Sequence, residues 1–365
     1  MSIRRPALAA SLALAAIAAP AIGAEAPATV PAAARSSAAT LSPRDQHDVL
    51  ERFADVLARR FADADTGRRY AARLREQAAR RAYAKLSDPV AFGEAVTADL
   101  QAVAPDGHLR LAPKARPQVR RPAPADLPAS TRASGPPGLE EARMIGDVAY
   151  LRFNEFPQDT RTGEAARAFL LAHADARAVI LDLRPHRGGG QATMDVVLPL
   201  FYAQPATLLR MDTRAEAEAE APLEVGPTMV RQPGPDGIIR RDHVIQPDPA
   251  ETRLRDAPLY VLTSRRTASA AEHLVLGLKR THRAVVVGET TAGAGRFGGF
   301  VDLPHGFAAF VPIGRTYDPD TGLGWEGRGV APDVAAPADD ALAVALAHLD
   351  SHPTAAAASP APANP

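Results

Sequence analysis

From residue 142 to residue 288, short apolar runs alternate with segments of helical spacing, and no other feature of this 365-residue chain restricts its fold as strongly. Val148–Phe153, Ala178–Leu183, Leu259–Leu262 and Ala284–Val287 read as strands, and the Ala178 and Leu259 runs are apolar enough to be covered on both faces. Thr162–His173, Thr193–Tyr202 and Ala270–Lys279 carry the helical spacing. Such a succession closes through right-handed crossovers, so the expected fold is an α/β domain with a largely parallel central sheet. Phe300–Leu303, Ala308–Ile313 and the turn Asp318–Gly322 add β structure, and a last helix is expected over Asp339–Asp350. The stretch Met211–Glu251 fits neither period. It is acidic at first (Glu216, Glu218, Glu220), rich in Pro and Gly later, and too long for a simple connection, so a hairpin or a cover over the cleft is expected there.

Ahead of this region the spacing is helical only. Ser42 and Pro43 form the N-cap and first-turn proline of a helix whose Val49, Leu50, Phe53, Val56 and Leu57 share a face, with Phe61 following. A second helix is expected from about Thr66 to Leu86 and a third over Pro89–Val103, with Phe92, Val96 and Leu100 on its apolar side. Together they make a small all-α N-terminal domain over residues 41–112, followed by a basic, proline-rich linker over 113–138 and the α/β domain over 139–350. Residues 25–40 and the tail 351–365 are expected to be disordered. Residues 1–24 combine Arg4 and Arg5 with an apolar run and small residues at its exit, as a secretory signal peptide does, with cleavage expected within 23–26. The run is too short and too Ala-rich for a membrane span. The mature chain is therefore expected in the periplasm or the medium, without stable membrane insertion. The chain has no cysteine, hence neither a disulfide framework nor a thiol for a lipid anchor. Basic and acidic side chains balance at 42 each, which gives no electrostatic reason to bind nucleic acid.

The chemistry gathers where the Leu259 strand passes into the Ala270 helix. Ser269 opens that helix, where unpaired backbone N–H groups and the positive helix end can stabilise an oxyanion beside its hydroxyl. The same residues also fit a plain N-cap, with Glu272 completing a capping box. Three further segments change the weighing: Asp106-Gly107-His108-Leu109-Arg110-Leu111, Asp182-Leu183-Arg184-Pro185-His186-Arg187-Gly188-Gly189, and Trp325-Glu326-Gly327-Arg328-Gly329-Val330-Ala331-Pro332-Asp333. With the run from Leu262 through Ser269 to Gly293 they form an ordered set. In that order and spacing, from about Leu41 to Asp350, the chain resembles the C-terminal processing (tail-specific) serine peptidases, and within them the branch containing tricorn and the interphotoreceptor retinoid-binding protein modules.

The resemblance implies a ClpP/crotonase-like α/β catalytic domain behind a helical N-terminal domain, with Ser269 as nucleophile. Where the tail-specific branch places a lysine base, this chain has Ala294, and the nearby Arg296 cannot serve because a guanidinium does not deprotonate. The tricorn branch takes its base from an upstream histidine, which matches His108, and Glu326 becomes the carboxylate that orients it. Gly188 and Ala270 N–H groups are assigned as oxyanion donors, with Gly189 the alternative to Gly188. Two residues depart from the pattern: Gly107 stands where tricorn has a serine, and His186 where the family usually has Asn. About 25 linker residues cannot bury the core of a PDZ domain. The implied partner is a peptide or protein substrate that adds to a sheet edge as an extended strand, with no cofactor and no metal.

Other readings of the same residues are narrower. Gly188–Gly190 after a strand resembles a phosphate loop, but no G-x-G-x-x-G or G-K-[ST] pattern accompanies it. The remaining histidines show no H-E-x-x-H pattern for a transition metal. A binding module for apolar ligands, like the retinoid-binding relatives, and an esterase or amidase acting on small substrates are the alternatives to an exported serine endopeptidase, since acyl transfer asks for the same groups in each enzyme. Oligomeric state is not legible.

Overall fold

The computed structural model describes residues 40–114 and 136–352. The expected signal peptide, nearly all of the 25–40 segment, most of the linker and the tail beyond residue 352 lie outside the described residues.

In chain order the helices α1 (Pro43–Arg60), α2 (Ala64–Ala79) and α3 (Pro89–Val103) are followed by strands β1 (Arg110–Pro113), β2 (Leu139–Ile145) and β3 (Val148–Phe153). Then come α4 (Arg161–Ala172), β4 (Ala178–Asp182), α5 (Ala192–Val197), β5 (Ala206–Arg214), α6 (Ala215–Glu220), β6 (Met229–Gln232) and β7 (Ile238–Ile245). The chain continues through β8 (Leu259–Thr263), α7 (Ala270–Arg280), β9 (Val285–Gly288), β10 (Arg296–Leu303), β11 (Phe307–Tyr317), β12 (Val334–Ala335) and α8 (Ala341–Ser351).

Among the described residues the strands form two six-stranded sheets. The first runs β12-β9-β8-β4-β3-β2; its pairs are parallel except for the β2–β3 hairpin at one edge. Every residue of β4 and β8 is buried, because helices cover both faces. On one face Val179, Leu181 and Val261 pack with Ala166 and Leu170 of α4 and with Leu274 and Leu278 of α7. On the other, Ile180, Tyr260 and Leu262 pack with Ala341, Ala345 and Leu349 of α8. The second sheet is antiparallel throughout, in the order β1-β11-β5-β7-β6 with β10 also on β11.

Helices α1–α3 share one hydrophobic core with this second sheet. Phe53, Tyr70, Phe92 and Leu100 pack with Leu109, just before β1, with Leu111 of β1 and with Phe307, Ala309, Val311 and Ile313 of β11. The expected separate helical domain over 41–112 therefore has no core of its own: β1 pairs with β11 from Arg110↔Phe310 to Pro113↔Phe307. The apolar residues read from periodicity in α1 and α3 are buried here, but periodicity named no face for α2 and no partner for any of the three. At the start of α1, Ser42 Oγ accepts the Asp45 N–H and the Asp45 carboxylate accepts the Ser42 N–H, a reciprocal cap. Helix α2 stops earlier than periodicity predicts. Arg81 takes φ 49°, and the Gln46 amide donates to the carbonyls of Tyr83 and Leu86, fixing a turn in place of a further helical one. The helix expected over Thr193–Tyr202 is α-helical only to Val197 and tightens to 3-10 form over Leu198–Phe201, where Pro199 has no N–H to donate. The unreadable stretch Met211–Glu251 contributes the end of β5 (Met211–Arg214), α6, the β6–β7 hairpin and the loop between α6 and that hairpin.

Candidate active site

Three loops leave the carboxyl ends of the parallel strands β4, β8 and β9 side by side, the position at which open α/β sheets bind ligands. Hydrogen bonds stitch them together. Thr267 Oγ1 donates to the Leu183 carbonyl, Ser264 Oγ to that of Arg184, Ala268 N–H to that of His186 and Ala292 N–H to that of Thr267. Held between them, Ser269 takes φ 57° and ψ −118°, a conformation that L-residues avoid at a cost of about 1–3 kcal/mol. The Glu272 carboxylate holds it there. Fully buried, it accepts the Ser269 N–H (2.8 Å), the Thr291 hydroxyl (2.6 Å), the Gly293 N–H (2.7 Å) and the Ala294 N–H (2.8 Å). The carboxylate read from sequence as a local cap thus joins the serine turn to the loop after β9.

The glycine loop after β4 lies against this serine. A Cβ on Gly188, whose φ is 111°, would stand 2.8 Å from Ser269 Cβ and 3.3 Å from its Oγ, so only glycine lets the loop approach this closely. The Gly188 N–H, the first oxyanion donor expected from sequence, is engaged: it donates to His186 Nδ1 at 3.0 Å. His186 is buried against Phe156 with ring centroids 4.1 Å apart, and burial pushes its pKa down to about 3, so its neutral ring is the acceptor that shapes the turn. Among the described residues the Gly189 N–H and the Ala270 N–H have no hydrogen-bond partner, and these are the backbone donors open beside Ser269.

His108 is half-buried on the loop that enters β1, its ring stacked on Phe310 at 5.3 Å and 25°. Asp106 shapes that loop by accepting the N–H groups of His108 and Leu109, each at 2.8 Å, and pairs with Arg296 at 2.6 Å. Glu326 lies beside the same loop, but its carboxylate is occupied by backbone: it accepts the N–H groups of Gly107 (3.0 Å), Gly295 (2.7 Å) and Arg296 (2.9 Å). No hydrogen bond among the described residues joins Glu326 to the His108 ring or His108 to Ser269, and His108 Nδ1 is enclosed without a partner. Ser269, Ala270, Gly189, Ala294 and Arg296 do line one cavity, with Gln158, Met194, Met211, Leu223, Phe297 and Trp325. Its volume is about 170 Å³. Leu223, Glu224 and Val225, from the unreadable stretch, form part of its wall. One further lining residue, His273, joins His243 and Asp195 in a buried chain that no sequence spacing indicated.

The sequence pattern of Peptidase family S41 matches residues 147–336, just over half of the chain and all of the parallel sheet except β2. The chain belongs to this peptidase family. Among curated relatives of the family member, a carboxyl-terminal-processing protease of Picosynechococcus is 27% identical over 172 residues, covering 47% of this chain and 35% of the relative. The chloroplastic carboxyl-terminal-processing peptidase 1 of Arabidopsis thaliana is 28% identical over 186 residues, covering 51% and 33%. The chain therefore spans about a third of the length of these relatives. A solved structure from Parabacteroides merdae, named as a candidate peptidase, covers 87% of this chain and 99% of its own at 16% identity with a TM-score of 0.57, a likeness of fold. The likeness places this family member among mixed α/β structures.

Proposed function

We propose that the protein is an exported serine peptidase that cleaves peptide bonds through an acyl-enzyme on Ser269. The observation that carries this reading is the strained serine at a strand-to-helix turn, held at positive φ by a buried carboxylate and facing a cavity beside two unpaired backbone donors. A serine serving only as a cap needs no such conformation. In the reaction, His108 takes the Ser269 proton as Oγ attacks the peptide carbonyl, and the N–H groups of Gly189 and Ala270 receive the developing oxyanion. The imidazolium returns the proton to the leaving amine, and water, deprotonated by the same histidine, resolves the ester. This pairing asks for closure of the His108 loop toward Ser269, as catalytic hydrogen bonds often tighten only on substrate binding. Glu326 serves by anchoring that loop to the Gly295–Arg296 backbone. Export rests on the signal-peptide pattern of residues 1–24, and N-terminal sequencing of the protein recovered from the periplasm or medium tests it, cleavage within 23–26 being the expected result.

The test of catalysis is labelling by a fluorophosphonate probe, with Ser269→Ala and His108→Ala as comparisons. Labelling that requires both residues is expected. A folded wild-type protein that stays unlabelled while a reference serine hydrolase reacts overturns the reading and favours a binding module.

A further inference from the structure

One turn after Ser269 on α7, His273 is 4% exposed and lines the same cavity. Its Nε2 lies 2.9 Å from Nδ1 of His243, fully buried on β7, and the His243 Nε2 lies 2.8 Å from Asp195 Oδ1 on α5. Three separate elements thus contribute one hydrogen-bonded chain that the catalytic reading leaves unused.

The Asp195 carboxylate oxygen accepts, so His243 Nε2 donates; with His243 neutral its Nδ1 accepts, and His273 donates from Nε2. His273 Nδ1 is left with a lone pair. Burial holds His273 well below the usual histidine range, which keeps the ring neutral. Among the described residues Nδ1 has no partner, and it is not among the polar atoms sealed from solvent, so the cavity is its outlet. Met194, Met211, Leu223, Phe297 and Trp325 give the cavity its apolar wall, and Gln158, Gln191, Glu224, Arg296 and Thr316 line the rest.

We propose that His273 is the specificity-determining residue of this cavity, its Nδ1 accepting a hydrogen bond from a substrate side chain that carries a hydroxyl or amide donor beside the scissile bond. Asp195 and His243 are positioning residues that hold the required tautomer. The proposal rests on the peptidase reading of Ser269. An apolar pocket alone separates isosteres poorly, whereas a buried acceptor penalises a ligand that leaves it unpaired.

The experiment compares peptides that differ only by Thr against Val beside the scissile bond. Trp325 is the chain's single tryptophan and lines the cavity, so its fluorescence reports peptide binding in Ser269→Ala, while kcat/KM is read on the wild type. The Thr peptide is expected to win by roughly ten- to a hundredfold in both readouts, and the advantage to vanish in His273→Leu. In Asp195→Asn the side-chain amide can donate to His243 and reverse the chain, so imidazole nitrogen NMR is expected to show both histidines changing tautomer as the Thr preference falls. This second variant decides the matter if His273→Leu does not fold. Equal treatment of Thr and Val by a protein that labels at Ser269, or a preference that survives in a folded His273→Leu, overturns the proposal and leaves the peptidase reading standing. Thr-selective binding by a protein that never labels overturns the peptidase reading and supports the pocket assignment. Absence of both labelling and binding overturns both.

Discussion

Replacing Glu272 by Gln keeps its shape and removes an acceptor that four donors need. The two donors on Oε1, the Thr291 hydroxyl and the Gly293 N–H, can keep the amide oxygen. The two on Oε2, the N–H groups of Ser269 and Ala294, then face an NH₂. Two hydrogen bonds to a charged group are lost, at about 1.5–3 kcal/mol each, and local relaxation recovers part. A loss of about 3–5 kcal/mol is expected against a total stability on the order of 5–15 kcal/mol. At about 2 °C per kcal/mol for a chain of this size, calorimetry should show Tm lower by roughly 6–10 °C. The Ser269 N–H also loses the partner that fixes its positive φ, so fluorophosphonate labelling at 25 °C should slow more than about a hundredfold, far beyond the unfolded fraction. Thr291→Val deletes one donor of the four and also the acceptor of the Val330 N–H, and should cost about 2–4 kcal/mol. A Gln variant within about 1 kcal/mol of wild type that labels at the wild-type rate would refute the claim that this carboxylate sets the serine's conformation.

Gly188→Ala pushes a methyl to 2.8 Å from Ser269 Cβ at a φ of 111°, and should abolish labelling while lowering Tm by only a few degrees, about 1–3 kcal/mol of strain. His186 titrates at about 3 in the fold against an ordinary 6.5, so between those values the unfolded chain binds the extra proton. That stability is fully present above pH 6.5 and lost as pH falls toward 3; denaturant titration of His186→Asn should show a shallower acid limb, and an unchanged one would contradict the assignment. Arg296→Leu strands the buried Asp106 carboxylate, and should cost about 3–5 kcal/mol in urea unfolding while loosening the His108 loop. Retained stability there would mean that the Asp106 side chain is satisfied by the backbone alone.

The parallel sheet was legible because strands buried on both faces must be apolar at every position, and runs such as Ala178–Leu181 and Leu259–Leu262 have no other use. The serine turn was legible for a related reason: a serine placed between such a strand and an amphipathic helix has few local explanations. The second sheet was read only in fragments. The strands β5 and β7 carry Arg210, Asp212, Arg240 and Asp242, whose charges pair between them as Arg210–Asp242 and Arg240–Asp212 and break the apolar alternation that marks a strand.

Sequence alone determined helices α1, α3 and α7, the buried strands β4 and β8, and the segment that presents a serine at a helix start, because those depend on contacts a few residues apart. The family resemblance added His108, Glu326 and the glycine triplet as expected partners of that serine. Only the tertiary structure decided what each of them touches. Glu326 is spent on three backbone N–H groups, the Gly188 N–H is spent on His186, and the Asp195–His243–His273 chain spans elements far apart in sequence. A hydrogen bond is a matter of ångströms and direction, and residues brought together by packing carry no spacing in the chain from which that geometry can be read.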